Sequence, residues 1–327
     1  MSPEAVAHIL QSASAGTALA TGDGKGGSRL ERVQAGGSTY IVKHLSLRDD
    51  WLMRVSGDLA CRPLILWRSG LLARLPASID HAMVGFLPGE RLGEAALVME
   101  DVGPYLVPEG DSPITLGQHL RFLDHMAALH AAFWGWEDSV GLLPLSGRLL
   151  LFHPEAAAYE SRRSSETAVP SLVVEGWRRF AEYSPRAASI VGPLLDDPTP
   201  LLLPLLSMPQ TFVHGDWKMG NLGTRPDGRT VLLDWALPGC APGTLELTWY
   251  LALNRARLPH SKEEAIDAYR QALIRQGVEL GSWWPEQVAL ALLTGLMWFG
   301  WEKALGDATE LDWWAMRAVE AVHWLAG

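Results

Sequence analysis

Cysteine is nearly absent: there are two in 327 residues, Cys61 and Cys240. They form neither a CxxC pair nor a zinc-ligand spacing, which excludes a disulfide scaffold and a cysteine-based metal knuckle and fits a reducing compartment. Positive charge is also short. Lys and Arg number 27 against 37 Asp and Glu, a net charge of -10, so no broad basic face is expected for nucleic acid or an anionic membrane. A phosphate ligand needs only a local set of donors and stays possible. No apolar run reaches the roughly 18 residues of a membrane span. The longest, "VALALLTGLMWFGW" from Val288 to Trp301, is expected to form a buried helix. The opening "MSPEAVAHILQSASAG" has no basic leader and no long apolar core, so the expectation is a soluble, cytoplasmic protein without a signal peptide. Internal repeats and low-complexity segments are lacking, and so is the GxxxxGK[ST] pattern of a standard P-loop.

What is present is a globular composition, 48% apolar and 20% charged, long enough for one large domain or two ordinary ones. The first hundred residues read as β-rich. "TALAT" (17–21), "RLERVQ" (29–34) and "TYIVKHL" (39–45) are strand candidates, separated by the turns "GDGKGGS" and "AGGS". Residues 50–75 read as helical with a break near Pro63, and "HAMVGFLPGERLGEAALVMEDVG" as a hairpin ending near Gly103. Beyond it the apolar spacing is helical over 114–136, 154–190, 262–277, 286–304 and 310–325, interrupted by one β island from Thr211 to Ala236. The expected class is α+β: a β-rich nucleotide-binding lobe over 1–103 and a larger helical catalytic and substrate lobe over 104–327.

The island carries the chemistry. "HGDWKMGN", His214 to Asn221, follows an apolar run, and "GTRPDGRTVLLDW" brings a second acid, Asp234. Pro226-Asp227-Gly228 is a turn signal. If Arg225 faces Arg229 across it, Asn221 faces Leu233, one step from Asp234. Directly opposed Cβ atoms lie about 5 Å apart, so an amide oxygen and a carboxylate would share the open end of the hairpin, a donor pair that suits Mg²⁺ when phosphates complete its shell. Asp216 stands five residues before Asn221. That offset matches the catalytic Asp and metal-binding Asn of the kinase catalytic loop. As isolated residues Asp216 and Asn221 are equally good turn formers; Asp234 at the end of an apolar strand tips the reading to function. Lys43 closes "YIVK", similar to the "VAIK" strand whose Lys pairs nucleotide phosphates, although a Lys also suits an edge strand. Gly22, Gly24 and Gly27 fit GxGxxG. No helix is expected after them, which argues against a dinucleotide-binding crossover and for a glycine-rich flap between two strands.

"HGDWKMGN", "VLLDW", "LVMEDVG" and "MAALHAAFW" together resemble the aminoglycoside phosphotransferase and choline kinase-like group, including its ecdysteroid-kinase-like members. The resemblance runs from about Thr17 to the C-terminus. It implies a protein-kinase-like fold, Asp216 as catalytic base, Asn221 and Asp234 as magnesium ligands, and a hinge near Met99–Val102, with Glu100 and Val102, that holds the nucleotide base. It further implies ATP, with GTP also admissible, and a small-molecule hydroxyl acceptor. The chain departs from the group in one respect. No Glu lies between Lys43 and Glu90, so the helix acid that usually pairs with the strand Lys is missing; Asp49, Asp50 and Asp58 are the acids within reach.

Two other readings compete: a non-catalytic kinase-like protein that binds nucleotide or ligand, and a metal hydrolase built on His214 and the two acids. The latter leaves Lys43 and the glycine turn without a role. His119, His125 and His130 on one helix and the Trp-rich tail are expected to be structural.

Overall fold

The computed structural model describes residues 3–12, 16–19, 27–163 and 168–325. In chain order, helix α1 (Pro3–Ser12) precedes strands β1 (Thr17–Leu19), β2 (Arg29–Ala35) and β3 (Ser38–Ser46). Helices α2 (Trp51–Val55) and α3 (Arg62–Ser69) follow, then β4 (Ile79–Asp80), β5 (Met83–Pro88) and β6 (Glu94–Glu100). The helical part begins with α4 (Leu116–Ala132), α5 (Leu145–Leu149), α6 (Pro154–Arg163), α7 (Val169–Tyr183), α8 (Pro185–Asp196) and α9 (Thr199–Ser207). Short strands β7 (Thr211–Val213), β8 (Leu222–Thr224), β9 (Thr230–Leu232) and β10 (Gly239–Ala241) form the island. Helices α10 (Gly243–Leu253), α11 (Lys262–Arg275), α12 (Trp284–Leu305) and α13 (Ala308–Ala321) complete the chain.

The first sheet is antiparallel in the order β1-β2-β3-β6-β5. Its β2–β3 corner turns on Gly36 and Gly37, both at positive φ (58° and 79°). That is the two-residue turn whose twist matches paired strands and which glycine adopts without a steric penalty. Residues 50–75 are helical in pieces rather than as one helix broken at Pro63. Pro63 sits in the first turn of α3, where its missing N–H would be unpaired anyway; the real interruption is the segment between α2 and α3.

The Pro226-Asp227-Gly228 turn forms as read. Gly228 N–H donates to Arg225 O at 2.9 Å and Gly228 has φ 90°, while Leu222, Gly223 and Thr224 face Leu232, Val231 and Thr230. The hairpin does not stand alone. β9 pairs in parallel with β4 from the chain's first third, and Val107 N–H donates to Leu222 O. The stretch before β5 and the segment that leads from β6 to α4 are thereby each pinned to the island.

The core runs continuously from α3 and the first sheet through α4 and the island to α12 and α13. Helix α12 (Trp284–Leu305) matches the helical spacing read over 286–304 to within two residues at each end. At 22 residues it is long and apolar enough to span a membrane, but 78% of its most apolar window is buried inside the protein. Its partners are α7, α10 and α13, so its uniform apolarity is that of a core helix. Trp298 and Trp314 of the Trp-rich tail are buried in the same core, and His119 and His130 are fully buried.

Candidate active site

Gly215 explains why the loop can turn under the strand. Its φ is 85°, and a Cβ there would lie 2.0 Å from Leu237 O, so only glycine fits. The loop is then gripped from below. Glu246 on α10 accepts the N–H of His214 at 3.2 Å and that of Gly215, and its Oε2 lies 2.9 Å from His130 Nε2. His130 is completed by the Tyr269 hydroxyl, 2.6 Å from Nδ1. Every member of this network is buried. Burial would raise the Glu246 carboxyl, but His130 by hydrogen bond and charge, with His214 and the Gly215 N–H, holds it below its usual value.

His214 is fully buried, its Nδ1 takes the Asp216 N–H at 3.2 Å, and its ring meets Trp235 edge-on at 4.5 Å. Burial lowers its pKa, against the pull of Glu246 and Asp216. It is a buried strut under the loop. Among the described residues no group of three or more His, Cys, Asp or Glu is arranged to hold a metal.

Above this base Asp216, 8% exposed, presents its carboxylate. Oδ1 accepts Trp249 Nε1–H at 2.8 Å and Oδ2 accepts Asn221 Nδ2–H at 2.8 Å, with Lys218 Nζ at 3.2 Å. Asn221 also donates to Asp216 O at 2.9 Å. Both donations come from the amide nitrogen, which leaves the amide oxygen as the end available to a hard cation. The Leu233 N–H donates to Asn221 O at 2.9 Å, placing Asp234 directly beyond Asn221.

Asp234 has φ 60°, a left-handed conformation uncommon for a non-glycine residue. Its Oδ1 receives Lys43 Nζ from β3 at 2.6 Å, so residues 191 apart in sequence meet. Burial raises the Asp234 carboxyl, but Lys43, by charge and hydrogen bond, and then Lys218 and His214 bring it below the usual carboxylate value. The side chain keeps 35% of its exposure, so this ion pair is partly screened and its contribution to stability is small.

Of Asp49, Asp50 and Asp58, the one whose carboxyl feels the charge of Lys43 is Asp50; the direct partner of Lys43 is Asp234. Asp50 is buried and caps α2, accepting Leu52 N–H and Met53 N–H on Oδ1 and the Ser28 hydroxyl on Oδ2 at 2.9 Å. Burial raises its pKa; the Met53 N–H and the charge of Lys43 oppose that. Asp58 instead caps α3 through Arg62 N–H, and Asp49 lies exposed. Gly27 sits on this corner: its φ is 100° and a Cβ would lie 2.7 Å from Asp49 O. Gly22 and Gly24 fall outside the described residues. Glu100 ends β6, with its N–H on Ala82 O and its carboxylate on Arg225. Val102 is buried beside Ala82 and Val231.

Sequence reading missed Glu246, Trp249 and Lys218. Glu246 had a usable signal: an acid inside a helix apolar on all sides must be buried, and a buried carboxylate needs donors. Trp249 had none, since its link to Asp216 depends on where α10 packs.

No family model and no curated protein matches the chain. Among solved structures it is similar to a thermostable mutant of aminoglycoside phosphotransferase APH(4)-Ia, with 12% identity over 100% of both chains and a TM-score of 0.53. It is also similar to choline kinase LicA from Streptococcus pneumoniae, with 14% identity, 99% and 97% coverage and a TM-score of 0.52. A microcompartment-associated aminopropanol kinase gives 15% identity, 99% and 96% coverage and a TM-score of 0.52. The chain therefore has, over its full length, the protein-kinase-like fold of aminoglycoside phosphotransferase and choline kinase structures.

Proposed function

We propose that this protein is a small-molecule kinase that moves the γ-phosphoryl group of ATP, or of GTP, to a hydroxyl. The observation that carries the reading is the meeting of Lys43 from the first sheet with Asp234, Asn221 and Asp216 from the island. A further support is that the phosphotransferase structure of similar fold is known with ADP and hygromycin B bound. In this reading residues 1–103 bind nucleotide, with Lys43 on the phosphates, Gly22, Gly24 and Gly27 in the flap over them, and Glu100 and Val102 beside the base. The Asn221 amide oxygen and the Asp234 carboxylate would hold Mg²⁺. When bound, that ion supplies charge neutralisation across the phosphates.

Asp216 has the chemistry of the base. Its two oxygens are oriented by Trp249 and Asn221, which leaves lone pairs for an acceptor hydroxyl proton. Lys218, 3.2 Å away, offers positive charge where phosphoryl charge would develop.

The first prediction is that Asp216→Asn binds Mg²⁺-nucleotide nearly as well as wild type and loses at least about a hundredfold in transfer to an acceptor found by screening hydroxyl compounds. Retained transfer would exclude Asp216 as base. Tight nucleotide binding with no acceptor turnover would favour the second reading, a non-catalytic nucleotide-binding protein, which the absence of a Glu partner for Lys43 motivates.

A further inference from the structure

A second concave site lies away from Asp216. Along the β3–β6 pair Tyr40 faces Glu100 at one end and Ser46 faces Glu94 at the other. At the Glu94 end a surface cavity of about 390 Å³ opens between the β3–α2 turn, the β5–β6 turn and the end of α6. Four arginines line it, Arg48, Arg54, Arg91 and Arg163, in a protein whose overall charge is strongly negative.

These arginines are not equivalent. Arg54 is committed: its guanidinium grips Glu160 of α6 and donates to Leu47 O and Arg48 O. That pairing, largely buried on both sides, fixes α2 against α6 and sets the width of the cavity. Arg48, Arg91 and Arg163 are exposed and pair with no carboxylate among the described residues. The one acid in the lining is Glu94, so positive charge remains in excess. Three exposed guanidiniums with no carboxylate partner among the described residues crowd like charge around one concavity, which an anion between them would relieve. Their planar forks match phosphate oxygens two at a time. The rim is apolar: Leu92 is 71% exposed and Leu59 52%.

We propose that this cavity is a binding site for a small organic phosphate, a phosphate monoester whose charged head lies among Arg48, Arg91 and Arg163 and whose short apolar tail covers Leu59 and Leu92. None of Lys43, Asp216, Asn221 and Asp234 lines it, so the proposal stands independently of the kinase reading. A ligand there bridges the first sheet to α6 beside the turn that carries Asp50.

Calorimetric titration of the full chain with hexyl phosphate and with inorganic phosphate tests this. The expected result is saturable binding, tighter for hexyl phosphate. Arg91→Gln and Arg163→Gln should each weaken it by about tenfold or more, as loss of a charge-assisted hydrogen bond does. Glu94→Gln should strengthen it, and Lys43→Ala should leave it unchanged. Arg91 and Arg163 are exposed and Glu94 is half-buried, and circular dichroism of each variant checks the fold. The proposal is overturned by affinity weaker than millimolar, by equal affinity for the two probes, or by binding that Lys43→Ala removes and the arginine variants keep.

Discussion

Asp50 does two things with one carboxylate. Its Oδ1 caps α2, its Oδ2 takes the Ser28 hydroxyl, and its charge interacts with that of Lys43. Asp50→Asn keeps an oxygen for the cap and removes the charge. We expect transfer to fall by about tenfold in kcat, equivalent to about 1.4 kcal/mol, with folding stability nearly unchanged. Asp50→Ala should add the loss of the cap, about 0.5–2 kcal/mol. Wild-type kcat in both variants would make Asp50 a cap and nothing more. Glu246 differs in being wholly buried with its partners. Removing one member of such a pair typically costs about 3–5 kcal/mol, and Glu246→Gln should approach that by leaving His130 and two loop N–H groups poorly matched. The folded pKa of Glu246 is depressed from 4.5, so its contribution is fully present above that value and lost as pH falls through the lower folded value. Urea denaturation across pH should show the gap between wild type and Glu246→Gln shrinking in acid. A gap that stays constant would mean the carboxylate charge is not what holds the loop.

At the scale of elements, helix contacts are decided by missing side chains as much as by present ones. Gly176 of α7 lies so close to α12 that a Cβ would fall 2.3 Å from Trp301 O. Alanine is the better helix former by up to about 1 kcal/mol, yet here it strikes backbone, which cannot move without separating the two helices. Gly176→Ala should therefore destabilise by about 1–3 kcal/mol or more. Gly117 of α4 has nothing within 4 Å of its ideal Cβ and no positive φ, so Gly117→Ala should stabilise by up to about 1 kcal/mol. Thermal denaturation of the pair checks both signs. If Gly176→Ala leaves the melting temperature unchanged or raises it, close approach of α7 and α12 is not limiting.

Across the whole molecule, the first hundred residues and the helical part are joined at the site and also away from it. β4 pairs with β9, Arg54 with Glu160 and Lys43 with Asp234. A ligand that engages both sides stabilises the entire chain. At 100 times its dissociation constant the gain is about 2.7 kcal/mol, several degrees for a protein of this size. Mg²⁺ with ATP or GTP should raise the melting temperature of the wild type by that order, and Asp234→Ala should remain folded while losing the shift. No shift with either nucleotide in the wild type would count against any kinase-like reading.

Local chemistry was legible in the residues alone. The alternation of β2 and β3, the Gly36-Gly37 and Pro226-Asp227-Gly228 turns, and the register that sets Asn221 beside Leu233 all follow from short-range rules, because turn type dictates which residues face each other. The Asp216–Asn221 offset lies within one loop and was equally readable. The sequence could show that a helix Glu was missing but not what faces Lys43. The structure pairs Lys43 with Asp234 and brings the charge of Asp50 to bear on it; the position of Asp50 depends on how the β3–α2 turn folds over the sheet. Helix α10 was not anticipated: it is apolar on every face, and periodicity carries no signal when a helix is buried all round. The 191-residue separation of Lys43 and Asp234, the grip of Glu246 on the loop and the convergence of arginines at the far end of the sheet are contacts between segments with no local relation. Only the packing of sheet, island and helices decides them, because it alone determines which buried charges find partners and which exposed ones are left without.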